Sequence, residues 1–439
     1  MQLSLDKYSE AIQNSHLTKD SGKVTEVTGL LIKGYLPGAS VGSICAIETV
    51  YSTKPLLAEV VGFKDQQVLM MALHEMRGVS LGCRITLSRS IATVKVSDSL
   101  LGRVVDGLGL PIDDQEAPET FKEVPLYAEV VNPLHRIPIR QSLDVGVRAI
   151  NATLTAGRGQ RVAIMAGSGV GKSVLMGMMA QQTEADVNVI ALIGERGREV
   201  REFIENEIGP EGMKKTIVVC VTSDQSPLLR MRGAYVATAI AEYFAKNKKN
   251  VLLVMDSVTR FAMALREIGL SIGEPPTSRG YTPSVFSTLP KLLERAGNFE
   301  SGGSITGFYT TLVEGDDMND PIGDSVRSIV DGHIVLSRDL AQRGHYPAID
   351  ILQSASRVMK AVTTPDHMKM AIKIREMLAV YKEAEDLINI GAYKSGANPK
   401  IDKAIKHIDQ INDFLKQSTT DQTNMNQCLR LMQQITVSS

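Results

Sequence analysis

Ala166-Gly167-Ser168-Gly169-Val170-Gly171-Lys172-Ser173 stands between an apolar run, Arg161 to Met165, and an apolar-periodic segment, Val174 to Ala180. The order is strand, glycine loop, helix, the arrangement in which a short motif acquires chemical meaning. Residues without a Cβ let backbone N–H groups converge on phosphate oxygens, and a helix N-terminus adds its positive end. Gly167, Ser168, Gly169, Val170, Gly171, Lys172, Ser173 and Val174 therefore form the expected cradle of a nucleoside triphosphate. Lys172 supplies a point charge, and the Ser173 hydroxyl is a ligand for Mg²⁺. Ala166 occupies a position that is glycine in the strictest form of the motif, but it keeps a small side chain at the tight turn. A glycine-rich turn that binds nothing is the competing reading, and the Gly-Lys-Ser ending speaks against it.

Outward from this loop the pattern continues as buried strands followed by helices. Strands are predicted at Val187 to Ile193, Thr216 to Val221, Val251 to Met255, Ile305 to Leu312 and His333 to Leu336, and helices at Met231 to Ala245 and Val258 to Ile268. That alternation predicts a parallel-rich α/β sheet with the phosphate loop at the carboxyl ends of its strands. Before it, short apolar segments at Val24 to Leu31, Ser43 to Glu48, Leu57 to Phe63, Gln67 to Leu73 and Arg84 to Leu87 alternate with polar turns, as in a small antiparallel barrel. Leu101 to Pro111 and the proline-containing stretch to Pro138 read as an entry linker. After Pro365 the pattern is helical, most clearly at Met368 to Tyr381 and Lys403 to Leu415. The expected fold class is a P-loop α/β nucleotide domain between an N-terminal β-barrel and a C-terminal α-helical domain. Its parts are an amphipathic segment at 1–20, in which Leu5, Tyr8 and Ile12 share a helical face, then a barrel at 21–95, a nucleotide domain with its entry linker at 96–362, and a helical domain at 363–439.

Composition limits the partners. Lys plus Arg number 48 against 49 for Asp plus Glu, so no global basic field draws the chain to nucleic acid. Cys45, Cys83, Cys220 and Cys428 lack the spacing of a zinc site or a disulfide framework, which fits a reducing cytosol. Met1 to Leu17 has no apolar core of a signal peptide, and no run approaches the roughly 18 residues of a membrane span. A cytoplasmic protein, at most peripheral to a membrane, is expected.

Triphosphate chemistry needs a metal anchor, a group that orients water, and cations for the developing charge. Val251-Leu-Leu-Val-Met-Asp256 delivers a carboxylate at a strand end. Asp256 either holds Mg²⁺ through its water shell or caps the following helix. Glu195, just past another strand end in Gly194-Glu-Arg-Gly-Arg-Glu199, either orients the attacking water, interacts with the N-terminus of the helix beginning near Arg198, or pairs with Arg196. Arg196 and Arg260 are either γ-phosphate ligands or structural ion-pair partners.

Gly194-Glu-Arg196, Asp256-Ser-Val-Thr-Arg260 and Pro347-Ala-Ile-Asp-Ile-Leu-Gln-Ser-Ala-Ser-Arg357 resemble the rotary ATP synthase catalytic-subunit superfamily over nearly the whole chain. Ser223 to Arg232, Pro275 to Phe286 and Asp386 to Tyr393 resemble, within it, the type III secretion export ATPases, and the last, continued to Ile405, is most similar to the flagellar branch. The resemblance implies that Glu195 is the catalytic carboxylate, that Arg196 and Arg260 lie near the γ-phosphate, that Tyr346 packs on adenine, and that Arg357 is an arginine finger given to a neighbouring subunit. A chain holding both Glu195 and Arg357 implies a homo-oligomeric ring, by resemblance a homo-hexamer hydrolysing ATP with Mg²⁺. The implied partners are an export gate with its substrates and chaperones, and a regulatory stator protein at the N-terminal helix, at the cytoplasmic face of the inner membrane.

An injectisome ATPase is the close alternative. A proton-coupled synthase subunit fits less well, because the helical domain lacks the acidic loop of those enzymes; its closest stretch is Lys382-Glu-Ala-Glu-Asp386. A ring-shaped RNA translocase would show aromatic stacking residues among basic ones in the barrel. Tyr35, Tyr51 and Phe63 are widely spaced, so no specific nucleic acid is expected.

Overall fold

A computed structural model of the 439-residue chain describes residues 21–116, 118, 122–300, 302–313 and 320–437. The amphipathic segment expected at 1–20 lies outside them. The described chain forms two compact units, one running to Thr93 with Glu267–Pro275 added, the other made of Val94–Arg266 and Pro276 onward.

The first unit is a closed antiparallel barrel of β1 (Ser21–Thr28), β2 (Leu31–Tyr35), β3 (Ile44–Ile47), β4 (Leu56–Lys64), β5 (Gln67–Ala72) and β6 (Arg84–Arg89), in the order β1-β2-β5-β4-β3-β6. Alternate side chains point inward, and Ile32, Cys45, Ile47, Met70 and Ile85 are fully buried as the period of two requires. The sequence run Val24 to Leu31 is not one strand. Gly29 and Leu30 turn the chain and Leu31 begins β2; apolar residues on the exposed side, Val27 and Leu30, make the run look continuous across its turn.

The second unit is built on an eight-strand path. Its strands are β7 (Val104–Val105), β8 (Arg161–Ala166), β9 (Val187–Glu195), β10 (Thr216–Thr222), β11 (Asn250–Asp256), β12 (Ser304–Leu312), β13 (Gly332–Leu336) and β14 (Ile349–Ser356), in the order β14-β13-β8-β12-β11-β9-β10-β7. All pairings on the path are parallel except β13 with the edge strand β14, and Gly297–Asn298 adds antiparallel to β12. Central strands are buried on both faces, so Val189 to Ile193 and Val251 to Met255 read as unbroken apolar runs. The stretch expected as linker contributes to the sheet, since β7 pairs with Val218 and Val219 of β10. Arg103 holds this entry segment through a two-pronged pair with Asp113 at 2.7 Å, which draws the Asp113 carboxyl down to about 2.

The helix predicted from Val258 begins there and runs on to Ile272, whereas those predicted from Met231 and Lys403 begin about one turn earlier, at Pro227 and Pro399. The helices used below are α1 (Lys172–Gln182), α2 (Pro227–Lys246), α3 (Val258–Ile272), α4 (Pro365–Asn389), α5 (Pro399–Leu415) and α6 (Met425–Val437). In α2, α4 and α5 a polar cap, Ser226, Thr364 or Asn398, accepts a backbone N–H from inside the helix, and proline takes the first helical position. Proline there loses no hydrogen bond and has the helical φ already. Within this unit one continuous core includes Ile164, Ile190 and Phe308 of the sheet and Ile374, Ile411, Cys428 and Met432 of the last three helices. No helix among the described residues is long and apolar enough to cross a membrane.

Candidate nucleotide site

Parallel strands bring β8, β12, β11 and β9 to a common carboxyl edge, where side chains from distant sequence positions converge. Gly169 and Gly171 adopt φ of +77° and +86° between β8 and α1, a region that L side chains avoid. A Cβ on Gly171 would also come within 3.3 Å of the Tyr346 ring. Around this loop lies a cavity of about 1080 Å³ lined by residues of the loop, Glu195, Arg196, Arg260 and Tyr346, among others.

At its phosphate end Lys172 Nζ stands 2.6 Å from Asp256 Oδ1 and 3.9 Å from Glu195 Oε1. Thr310, on the intervening β12, donates its hydroxyl to Asp256 Oδ1 at 2.7 Å. Two carboxylates thus share one lysine in a largely buried place. Burial first, and then the charge of Asp256, push the Glu195 carboxyl above its ordinary range, while Lys172 and Arg260 act in the opposite sense. Gly194 lets the Arg260 side chain cross the end of β9, because a Cβ there would sit 3.0 Å from Arg260 Cβ and Cγ. Among the described residues Arg260 Nε, which is buried, has no hydrogen-bond partner, as suits a group arranged around an anion.

The alternatives left open by the sequence now differ in geometry. Ser257, not Asp256, accepts the Arg260 N–H at the start of α3. Arg196 pairs with Glu199 at 3.0 Å and is exposed, whereas Glu195 faces Lys172. Asp256, 2% exposed, does not line the cavity itself and reaches it through Lys172. The Val170 side chain is buried in the core, so only its backbone is available to a ligand. Ser168, Ser173 and Val174 line the cavity.

The opposite end carries no carboxylate among the lining residues, and its one charged side chain is Arg338. Tyr346, 43% exposed, forms one wall, and Gln417, Ser418 and Thr419, from the connection between α5 and α6, form another. Gln417 N–H donates to the Tyr346 carbonyl at 2.9 Å. Arg148 holds that connection: its guanidinium donates to the carbonyls of Phe414 and Lys416 and to Asp421 Oδ2, and its backbone N–H donates to Gln417 Oε1. Gln417 in turn donates to the Gly146 carbonyl at 2.8 Å. Sequence reading missed Gln417 to Thr419, Arg148, Arg338, Glu199 and Thr310, which carry no local signature. Arg357 lies apart from the cavity. It is exposed, and its guanidinium donates to the Val330 carbonyl at 3.2 Å.

Among the described residues no group of three His, Cys, Asp or Glu could cage a metal without help. The donors at the phosphate end are the Ser173 hydroxyl and the Asp256 and Glu195 carboxylates, hard oxygens that suit Mg²⁺ arriving with a phosphate. The glycine cradle and the unpartnered Arg260 Nε fit the anion.

Residues 146–356 match the nucleotide-binding domain model of the ATP synthase alpha/beta family, 24–88 match that family's beta-barrel domain, and 363–434 match the T3SS EscN ATPase C-terminal domain. The chain is 51% identical to the flagellum-specific ATP synthase of Bacillus subtilis over 97% of its own length and 98% of the relative's. It is 49% identical to the type 3 secretion system ATPase of Xanthomonas euvesicatoria, covering 94% of each. The assembled ATPase EscN of the enteropathogenic E. coli type III secretion system superimposes with a TM-score of 0.89 at 46% identity, over 94% of this chain and 99% of that one; EscN is also known in complex with its central stalk EscO.

Proposed function

Because the chain belongs to the ATP synthase alpha/beta family, we infer that it is the ATPase of a flagellar-type protein export apparatus. The observation that carries this reading is the separation of Glu195 from Arg357 within one chain: one lies in the cavity, the other on an exposed surface outside it. Each subunit then offers a carboxylate to its own nucleotide and an arginine to its neighbour's. Head-to-tail contacts that close into a ring satisfy every site at once, and a homo-hexamer is the ring we propose.

In this site the loop N–H groups, Lys172 and Arg260 bind and orient the triphosphate. Ser173 and, through water, Asp256 would hold Mg²⁺, which supplies neutralisation of charge across the phosphate oxygens. Glu195 in its ionised form orients and polarises the attacking water, and Arg357 of the adjoining subunit stabilises charge on the transferred group. Arg196, already paired with Glu199, has the lesser part. Tyr346 and the Gln417 to Thr419 connection receive the base.

The export gate, exported clients, chaperones and a regulatory stator protein are the partners proposed for the assembly, at the cytoplasmic face of the inner membrane. The injectisome alternative has the same chemistry, and the 51% identical flagellum-specific relative supports the flagellar assignment. Specific ATPase activity measured against protein concentration, with mass determined in parallel, tests the reading. Activity per chain should rise steeply where rings form; activity independent of assembly would contradict it.

A further inference from the structure

A second cavity, of about 400 Å³, lies against the base end of the nucleotide site, between the β13–β14 region and the helices α4 and α5. Three backbone segments separate the two spaces, and each gives residues to both sides. Ser337, His345 and Lys416 face the second cavity, while their chain neighbours Arg338, Tyr346 and Gln417 face the first. The segments are tied together: Gln417 N–H donates to the Tyr346 carbonyl at 2.9 Å, and Ser337 N–H to the Ala348 carbonyl at 2.8 Å.

The interior is mainly apolar, with Leu340, Leu378, Ile408 and Leu415 among its walls, and its size is that of a small-molecule pocket. Its acids are engaged. Glu385 accepts from Arg343 and Lys382 at 2.7 Å each, Asp339 lies 3.3 Å from Arg343, and Asp350 accepts two backbone N–H groups and the Gln353 side chain. Among the described residues Lys416 has no ion-pair partner. Beside it His345 is buried, and burial first, then Lys416, hold its imidazole below its usual range. Of the three cations around this space, Arg343, Lys382 and Lys416, the first two are held in ion pairs, so Lys416 is the one available to a ligand, next to a neutral donor.

We propose that this cavity is a binding site for a small apolar anion, and that its occupancy is coupled to nucleotide binding through the shared wall. An apolar body replaces water along the leucines, and the anionic group meets Lys416 and His345. Because each wall segment carries contacts for both spaces in a close-packed region, a ligand that shifts one side changes the fit on the other. The coupling is reciprocal. The coupling half rests on the nucleotide reading of the first cavity; the binding half does not.

The test uses the full chain and two fluorescent probes of similar shape, the anion 8-anilinonaphthalene-1-sulfonate and the uncharged N-phenyl-1-naphthylamine. Leu378→Trp, which fills the cavity, should remove one saturable site per chain for both. Lys416→Glu, a change at an exposed position, should weaken the sulfonate by about fivefold, the scale of an exposed ion pair, and leave the naphthylamine unchanged. Added ADP should alter sulfonate affinity by a factor that reaches a plateau, with the same factor found for ADP when the sulfonate is varied. Wild-type binding of both probes by both variants would overturn the site. Complete displacement by ADP would place the probe in the nucleotide cavity and overturn it as well. A plateau factor of one would overturn the coupling.

Discussion

At the phosphate end of the nucleotide cavity, Lys172, Glu195, Asp256 and Arg260 bring four charges to the carboxyl edge of one sheet. At the base end an exposed tyrosine ring and an uncharged connection, Gln417 to Thr419, are held from behind by Arg148. The first end is set by strand order and needs no other domain. The second requires the helical domain to be packed in place, since Phe414, Lys416 and Asp421 meet Arg148 only after the chain has returned across about 270 residues of sequence. Turnover should therefore depend on the first end and on the neighbour's Arg357, and affinity for the base on the second.

The sharpest attempt to break this division is Arg357→Ala, which should lower turnover by about 10³-fold or more while ring mass and ADP affinity stay unchanged. Normal phosphate release from assembled rings would end the finger role. Glu195→Gln should cost about 10²–10⁴-fold in kcat, with nucleotide binding by calorimetry retained. Arg148→Ala acts on the other end. It should raise KM for ATP by about tenfold, the scale of a charged hydrogen-bond network lost, with kcat much less affected and partial rescue by Arg148→Lys. An equal loss in kcat would show that the two ends are not separable.

The smallest effect is one of pH. Burial and Asp256 raise the Glu195 carboxyl above its ordinary value of 4.5, and the ionised form is the one that orients water. Activity should then vanish as pH falls through the raised value, so the acid limb of kcat lies above the ordinary carboxylate range. Arg260→Ala removes a cation that favours ionisation, and should move that limb further up. A limb at or below 4.5 would contradict the geometry.

The same division explains what the sequence discloses. Backbone that must turn through positive φ, as at Gly169 and Gly171, and charges at strand ends, as at Asp256, leave local patterns because chemistry restricts the residue type at each position. Gln417 contributes a hydrogen bond to a partner 71 positions away, and nothing nearby distinguishes it from other polar residues. The barrel, the parallel sheet and the helical end were legible from periodicity. The two-residue strand Val104–Val105 was not, being too short to show a period. The first turns from Pro227 and Pro399 are hidden from periodicity, because proline resembles a breaker until its cap is seen.

A site divided between subunits is tested most directly by mixing two inactive variants. Glu195→Gln keeps Arg357, and Arg357→Ala keeps Glu195. In rings assembled at equal ratio, about a quarter of interfaces combine an intact carboxylate with an intact arginine if subunits distribute at random. Hydrolysis well above either parent, rising with ring mass, is the expected result. Mixed rings of verified mass that remain as inactive as their parents would contradict a shared site.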